Sequence, residues 1–253
     1  MKKSKLFLTI ALILALAVIF VACGETSSAS VSGQIIPAAT TSNDISSEII
    51  PAAEATEVTE AVEATDPPVS LGRLEGGTYI NNYAGFGCEL DSNWSFCTAE
   101  ELQELPANTA EMFKGSEIYT DSLPQSIIDM KAENANDLTS INVLYQKLTK
   151  QDRLYYLTVS EEDIINLIVD NSDVMIRSYE QAGIIVDSIE KVSITFLGEE
   201  RVAMRTSAVW EGVPYFTLQI FDYHAGEYSV TTTFASHLDD ETDKLLDLFF
   251  PVK

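Results

Sequence analysis

The most constraining feature of this sequence is a long apolar run that ends directly before a cysteine. Lys2, Lys3 and Lys5 precede residues 6–22, which carry no charge and consist almost entirely of apolar side chains. A basic start, an apolar stretch and small residues before a cleavage point are typical of a secretory signal. We therefore predict that residues 1–22 form a signal peptide and that the mature protein begins at Cys23.

The residues before this cysteine resemble the lipobox of bacterial lipoproteins. Phe20, Val21 and Ala22 precede Cys23, and Gly24 follows it. The resemblance implies that the Cys23 thiol becomes lipidated and anchors the protein to the extracytoplasmic face of the cell membrane, because two acyl chains hold a protein stably. The alternative is an uncleaved anchor, since residues 6–22 just reach the length that spans a bilayer.

Net charge narrows the range of partners. The chain has 253 residues, with 15 Lys and Arg against 39 Asp and Glu. Loss of the three signal-peptide lysines leaves 12 against 39, a net charge of −27. Phosphate backbones and anionic headgroups repel such a protein. We therefore predict no nucleic-acid partner, and a membrane attachment that depends on the lipid at Cys23.

Residues 23–70 are predicted to be a disordered linker that follows the lipidated cysteine. The segment after Gly24 is rich in Ser, Ala, Thr and Glu and contains no aromatic residue, Lys or Arg. Such a composition buries too little apolar surface to offset the entropy of ordering. The phrase Ile-Ile-Pro-Ala-Ala occurs twice, at residues 35–39 and 49–53. It is either a duplication in a tolerant spacer or a short docking motif.

Residues 71–253 are long enough for one globular domain with its own core. Capping boxes start two predicted helices, one at Thr98 with Glu101 and one at Ser160 with Asp163. We predict that Pro106 interrupts the first helix, and that the second is the longest and reaches Gly183. The predicted strands cover residues 78–90, 126–132, 137–148, 184–196, 201–210, 214–223 and 227–236, and a final helix covers residues 240–250.

The last four strands give the clearest pattern. Gly198, Gly212 and Gly226 separate four runs in which apolar and polar residues alternate. Helices that flank a run of adjacent strands favour an antiparallel sheet over βαβ units. We therefore predict an α+β fold in which helices pack on an antiparallel sheet.

The domain resembles the PsbP and Mog-type α/β/α sandwich. The resemblance lies in Asn-Tyr-Ala-Gly-Phe at residues 82–86, in Trp94, and in Ile-Thr-Phe-Leu-Gly-Glu-Glu at residues 194–200. It implies the sandwich fold over about residues 78–250. It also implies an accessory or docking role, as in family members that serve photosystem II or a small GTPase, and no enzymatic activity. Metal ligands described in some members have no match here.

Few residues suggest catalysis. His224 and His237 are the only histidines, and neither lies near a Ser or Cys motif, so both are predicted to be surface residues. The sequence has no P-loop and no G-x-S-x-G motif. The acidic run at residues 239–243 either binds a cation or places charge at a helix N-terminus, where the helix dipole favours it. We predict no cofactor and no metal site.

The sequence allows two interpretations of the cysteines of the domain, a disulfide or two thiols. Cys88 and Cys97 are placed symmetrically about residues 92–93, so a tight hairpin would bring them together as a disulfide. That register would put Phe86 and Trp94 on opposite faces and split the apolar set. The alternative is two small buried thiols.

Two functions of different class follow from these features. The first is a lipid-anchored, non-catalytic binding or accessory protein of the cell envelope, whose partner is another envelope protein or an extracellular ligand. The alternative is an extracytoplasmic hydrolase that uses Asp and Glu carboxylates. The hydrolase requires two carboxyl groups that converge in a pocket, at least one of them with a shifted pKa.

Overall fold

The computed structural model describes residues 71–116, 126–223 and 227–252. The predicted signal peptide, Cys23, the linker with its repeat, and His224 lie outside the described residues, and what the sequence predicts for them stays a prediction. Within the described part, the helices are too short or too polar to cross a membrane.

Eleven strands and five α-helices make up the secondary structure of the described residues. The strands are β1 Arg73–Glu75, β2 Thr78–Asn81, β3 Phe86–Glu89, β4 Trp94–Phe96, β5 Ile127–Asn134, β6 Thr139–Lys147, β7 Ile184–Phe196, β8 Glu199–Trp210, β9 Val213–Asp222, β10 Tyr228–His237 and β11 Phe249–Pro251. The helices are α1 Ala99–Met112, α2 Lys150–Tyr156, α3 Glu161–Asp170, α4 Ser172–Gln181 and α5 Thr242–Leu245.

The larger sheet has seven strands in the order β4-β5-β6-β10-β9-β8-β7, and all its pairs are antiparallel. Its last four strands form the predicted meander. The turns between β7 and β8 and between β8 and β9 each place two residues at positive φ, and Gly198 and Gly212 are the second residue of each turn. Two-residue turns of this kind suit the right-handed twist of a hairpin. The predicted α+β class with antiparallel strands is confirmed.

A second, smaller sheet was not predicted. It has the order β1-β2-β3-β11. Residues 78–90, predicted as one strand, are instead the antiparallel hairpin β2-β3, because the chain turns at Gly85, whose φ is +77° and whose N–H bonds to Asn81 O. The predicted inward-facing set Phe86, Cys88 and Leu90 is confirmed as buried.

The C-terminal prediction is partly wrong. Residues 240–250 were predicted as one helix, but helix α5 ends at Leu245, a 3₁₀ turn follows, and the chain ends in strand β11. Phe249 pairs with Cys88 of β3 and is buried between the two sheets. Burial of this ring against a distant strand outweighs the local helical pattern, a long-range effect that sequence periodicity does not reveal.

Helix α1 begins with the predicted capping box. Thr98 accepts a bond from Glu101 N, and the Glu101 carboxylate accepts one from Thr98 N. Pro106 lies inside the helix and does not interrupt it, contrary to the prediction. A proline in a helix removes one hydrogen bond. The neighbouring Leu105 is buried against the larger sheet, and this packing retains the helix.

The predicted helix from Ser160 to Gly183 is two helices. The capping box of Ser160 and Asp163 is present, but the chain leaves the helical conformation at Asn171 and starts again as α4. Asn171 Nδ2 donates to Leu167 O, which satisfies a carbonyl at the end of α3. Helix α1, with 14 residues, is therefore longer than either half. Helix α2 was not predicted, although Thr149 and Asp152 form a capping box.

Three apolar clusters hold these layers together. The largest lies between the two sheets and joins Tyr79, Phe86 and Phe249 to the inward face of the larger sheet. The opposite face of the larger sheet packs against α3 and α4 in a second cluster and against α1 in a third. The prediction had helices packed on a single sheet. The described residues instead have helices on one face and mainly a second sheet on the other.

Candidate functional site

The first candidate site forms where β5 departs from regular pairing. Ile128 pairs with Leu144 and Met130 pairs with Val143, so Asp129 has no partner in β6 and occupies a β-bulge. A bulge turns a side chain away from the regular alternation of a strand, and bulges are frequent beside functional sites. Here the bulge places a carboxylate among otherwise apolar strand residues.

Asp129 is the centre of a hydrogen-bond network that links both sheets. Its carboxylate accepts from Gly72 N at 2.9 and 3.1 Å, from Tyr79 Oη at 2.5 Å and from Asn81 Nδ2 at 2.8 Å. Asn81 Nδ2 also donates to Tyr145 Oη at 2.5 Å. Tyr79 and Asn81 lie on β2 and Tyr145 lies on β6, and all three are fully buried. The network therefore fixes β2 to the bulge.

Burial controls the protonation of this network. It raises the pKa of Asp129, while the hydrogen bonds from Tyr79, Gly72 and Asn81 act in the opposite direction. Burial also raises the pKa of Tyr79 and Tyr145, and the negative charge of Asp129 adds to both increases. Both tyrosines therefore remain protonated at neutral pH, and Tyr79 keeps its proton as a donor to Asp129.

A cavity of about 420 Å³, which we call the Asp129 cavity, lies beside this carboxylate. Strand β5, helix α1 and the first described residues, Leu71 and Gly72, form its walls. Most of the lining is apolar, and Ser126 adds a buried hydroxyl without a partner among the described residues. Apolar walls with a few polar groups, in a volume of roughly 300–1,000 Å³, are typical of ligand pockets.

The second candidate site is built on a three-residue ion cluster. Arg201 of β8 contacts Glu161 Oε1 through Nη2 and Asp222 Oδ1 through Nη1, each at 2.7 Å. Glu161 is the first residue of α3, where the Ser160 capping box fixes the chain, and Asp222 ends β9. One cation therefore joins two carboxylates from a helix and a strand.

A cavity of about 220 Å³, which we call the Arg201 cavity, borders this cluster. Its aromatic lining includes Phe221 and the rings of Tyr156 and Tyr223, which stack with centroids 4.1 Å apart and planes at 21°. Among the described residues, the buried Asp222 Oδ2 has no hydrogen-bond partner, whereas the hydroxyls of Tyr156 and Tyr223 interact with each other. Buried polar atoms without a partner are rare in folded proteins.

The charged groups of this cluster change one another's pKa. Burial raises the pKa of Glu161, against the lowering effect of its hydrogen bond to Arg201 and of the Arg201 charge. Burial alone would lower the pKa of Arg201, but the charges of Asp222 and Glu161 and their hydrogen bonds raise it overall. Arg201 is thus a permanent cation held between the two acidic side chains.

The predicted site residues do not come together. Cys23 and His224 lie outside the described residues. His237 is half-buried rather than on the surface, with its ring 5.3 Å from that of Tyr215, and burial lowers its pKa. In the described ranges, no group of three or more His, Cys, Asp or Glu side chains could hold a metal ion.

The acidic run at residues 239–243 faces an arginine. Arg205 of β8 contacts Asp243 at 2.5 Å and Asp240 at 3.6 Å. Asp240 Oδ1 also accepts bonds from the backbone N–H and hydroxyl of Thr242, at the start of α5. These contacts favour the prediction of charge placed at a helix start over a cation site.

The disulfide between Cys88 and Cys97 does not form. Cys88 is a free, fully buried thiol in the smaller sheet. Cys97 is also buried, but it follows β4 of the larger sheet. The hairpin that would have paired the two cysteines is absent, since residues 86–89 and 94–96 belong to different sheets.

Sequence reasoning missed Asp129, Glu161, Arg201 and Asp222 as site residues. A signal for Asp129 was present, because a lone acidic residue interrupts the apolar run Ile-Ile-Asp-Met in a predicted strand. No sequence signal distinguished Arg201 and Asp222, since each lies near a strand end, where charged residues are common. Their pairing with Glu161 depends on tertiary structure.

Comparison with known proteins gives little guidance on function. No family model matches the chain, and no curated protein matches it. The chain is similar in structure to the solution structure of cyanobacterial PsbP (CyanoP) from Synechocystis sp., with 10% identity and a TM-score of 0.39, over 72% of this chain and 94% of that one. A PsbP is thus among the structures that this chain resembles, and at this identity and TM-score no conclusion about function follows.

Proposed function

We propose that this chain is a lipid-anchored cell-envelope protein with a PsbP-like domain and a non-catalytic binding or accessory role. Its partner would be another envelope protein or an extracellular ligand. The observation that carries the binding role is the Asp129 cavity, which combines apolar walls with one carboxylate. The anchor rests on the sequence alone, through Cys23 and the apolar run before it.

The state of the carboxylate supports binding rather than catalysis. A general base needs a free lone pair within reach of the substrate proton. Asp129 already accepts hydrogen bonds from Gly72, Tyr79 and Asn81. Such a carboxylate orients a ligand or holds the cavity wall in place, but it has little capacity left for proton transfer.

The anchor is tested by Cys23→Ser in the full-length chain. Wild type should incorporate an alkyne-labelled palmitate and sediment with membranes. The variant should lose both the label and the sedimentation, because serine offers no thiol to alkylate. Retention of the variant in the membrane fraction would support the uncleaved anchor instead.

Binding at the Asp129 cavity is tested by site-specific photocrosslinking in the native host. A benzophenone amino acid at Gln103, which lines the cavity, should capture the partner. The matched control places it at Glu104, an exposed neighbour on α1 that does not line the cavity. Equal capture at both positions, or at neither, would contradict the proposal.

One observation favours the alternative, an extracytoplasmic hydrolase. Glu161 and Asp222 both line the Arg201 cavity, and burial raises the pKa of Glu161. Against this, Arg201 holds both carboxylates, so neither is free to attack a substrate or to accept its proton. Turnover of chromogenic glycosides or esters by wild type, abolished in both Glu161→Gln and Asp222→Asn, would establish the hydrolase.

A further inference from the structure

We propose that the Arg201 cavity binds a small organic cation with N–H donors, of the primary alkylammonium class. This site is separate from the Asp129 cavity and does not depend on the lipid anchor. Three properties of the lining lead to this ligand class: its net charge, its unsatisfied acceptor and its aromatic faces.

The charge of the cavity favours a cation. Glu161 and Asp222 contribute two negative charges, and Arg201 contributes one positive charge. The arginine is not available to an anion, because its guanidinium already contacts both carboxylates and donates to Phe221 O at 3.3 Å. Among the described lining residues, one negative charge remains without a counterpart.

One carboxylate oxygen of the cavity lacks a donor among the described residues. Asp222 Oδ1 pairs with Arg201, but Asp222 Oδ2 is buried and has no partner among the described residues. The hydroxyls of Tyr156 and Tyr223 interact with each other, and a hydroxyl that takes part in one hydrogen bond can still accept another. An ammonium group carries three donors and no acceptor, so it supplies the donor that Asp222 Oδ2 lacks. Ordered water is the competing occupant.

The aromatic lining suits a cation as well. Tyr156, Tyr223 and Phe221 line the cavity, and a cation near the face of such a ring is attracted by its π electrons. The volume of about 220 Å³ is smaller than a drug-sized pocket. It suits a small amine or the ammonium end of a larger molecule.

The donor set does not suit a metal ion. Among the described lining residues, two carry carboxylates, and a guanidinium lies between them. Cations such as Ca²⁺ require six to eight oxygen ligands. An alkylammonium needs only hydrogen-bond acceptors and apolar contact for its chain.

The experiment uses purified full-length protein and three probes, followed by saturation-transfer NMR and calorimetric titration. The probes are n-butylammonium, tetramethylammonium and n-butanol. They separate a cation with donors, a cation without donors and a neutral molecule of similar length. We expect n-butylammonium to bind most tightly, tetramethylammonium more weakly through the aromatic rings, and n-butanol least.

Two variants locate the site. Asp222→Asn removes the uncompensated charge and should weaken n-butylammonium binding about tenfold. Tyr223→Phe removes one hydroxyl and should weaken it about three- to tenfold. Because Tyr223→Phe keeps the ring that stacks on Tyr156, this variant should fold normally. Asp239→Asn removes the same charge at an exposed position outside the cavity and should leave binding unchanged.

Three results would overturn the proposal. Equal affinities for n-butanol and n-butylammonium would show that the cavity binds the apolar chain and does not recognise the positive charge. Absence of binding by every probe at 10 mM, roughly the weakest useful affinity, would leave ordered water as the only occupant. Binding that Tyr223→Phe and Asp222→Asn leave intact would place the amine elsewhere on this acidic protein.

Discussion

Tyr79 Oη donates a 2.5 Å hydrogen bond to Asp129 Oδ2, and this bond joins strand β2 of the smaller sheet to the bulge of β5 in the larger sheet. The two residues are 50 positions apart in the chain. Their bond lies beside the apolar cluster that fills the space between the sheets. It is therefore a specific polar contact at an interface that is otherwise held by apolar packing.

The first prediction concerns the Tyr79 hydroxyl. Tyr79→Phe keeps the ring but removes a donor to a partly buried carboxylate, so it should lower the free energy of unfolding by about 1–3 kcal/mol. Urea denaturation monitored by circular dichroism measures the change. Tyr223→Phe is the matched control, because its hydroxyl interacts with the neutral hydroxyl of Tyr156 rather than with a carboxylate, and its loss should cost about 1 kcal/mol or less. Equal losses in the two variants would contradict the role given to the Tyr79–Asp129 bond.

The elements that the sequence predicted correctly have strong local signals. Strands β7 to β10 alternate regularly, and turns with glycine separate β7 from β8 and β8 from β9. The starts of α1 and α3 were predicted because a capping box is a motif of four consecutive residues, which the sequence shows directly. Strand β11 was missed because it pairs with β3 across more than 160 positions. The hairpin β2-β3 is local, but its turn lies inside a run whose alternation predicted one continuous strand.

The candidate sites could not be predicted because their residues are distant in sequence. Asn81 and Asp129 are 48 positions apart, and Glu161 and Arg201 are 40 positions apart. No local pattern relates such pairs. The bulge at Asp129 is itself a property of the pairing between β5 and β6, which becomes visible only in the folded sheet.

The second prediction concerns the pH dependence of stability. Burial raises the pKa of Asp129 in the folded protein above its unfolded value, which is about 4. The folded state therefore binds this proton more tightly, and the resulting stabilisation is fully present below the unfolded pKa and is lost as pH rises through the folded pKa. Asp129→Asn cannot titrate, so the stability of wild type relative to this variant should fall as pH rises from about 3 to 7.

Urea unfolding of both proteins at several pH values measures this difference. The test rests on how this stability difference changes with pH and not on its size at one pH. The amide introduced by Asp129→Asn also changes the hydrogen bonds to Gly72 and Asn81, which alters stability at every pH. Asp239→Asn removes the same charge from an exposed position and reports the effect of net charge alone. A difference between wild type and Asp129→Asn that stays constant across the range would show that the pKa of Asp129 is not raised.

The third prediction concerns the free thiol of Cys88. The side chain is fully buried, and burial raises its pKa to about 12, so almost no thiolate exists at pH 8. Because the thiolate is the reactive form, iodoacetamide should label Cys88 only after unfolding in guanidinium chloride. Peptide mass spectrometry locates the label. An engineered thiol at an exposed position of β7, Ser193→Cys, should react rapidly in the folded protein. Comparable rates at the two positions would contradict the burial of Cys88.

The fourth prediction concerns the capping box at the start of α3. Ser160 Oγ donates to Asp163 Oδ2 at 2.7 Å and Ser160 N donates to it at 3.1 Å, and these bonds lower the pKa of Asp163. A lowered pKa stabilises the folded state above the unfolded pKa, and that contribution is lost as pH falls through the folded pKa. Ser160→Ala removes the larger of the two effects, so the pKa of Asp163 should rise toward its ordinary value.

NMR titration of the Asp163 carboxyl carbon measures this pKa directly. The variant should also be less stable than wild type at pH 7, and the gap should narrow on acidification, because protonated Asp163 gains less from the cap. Ser172→Ala is the control, since that serine begins α4 without a side-chain cap at its N-terminus. If Ser160→Ala leaves the pKa of Asp163 unchanged, the hydroxyl does not hold the start of α3, and the position of Glu161 beside Arg201 must be fixed by the ion pair instead.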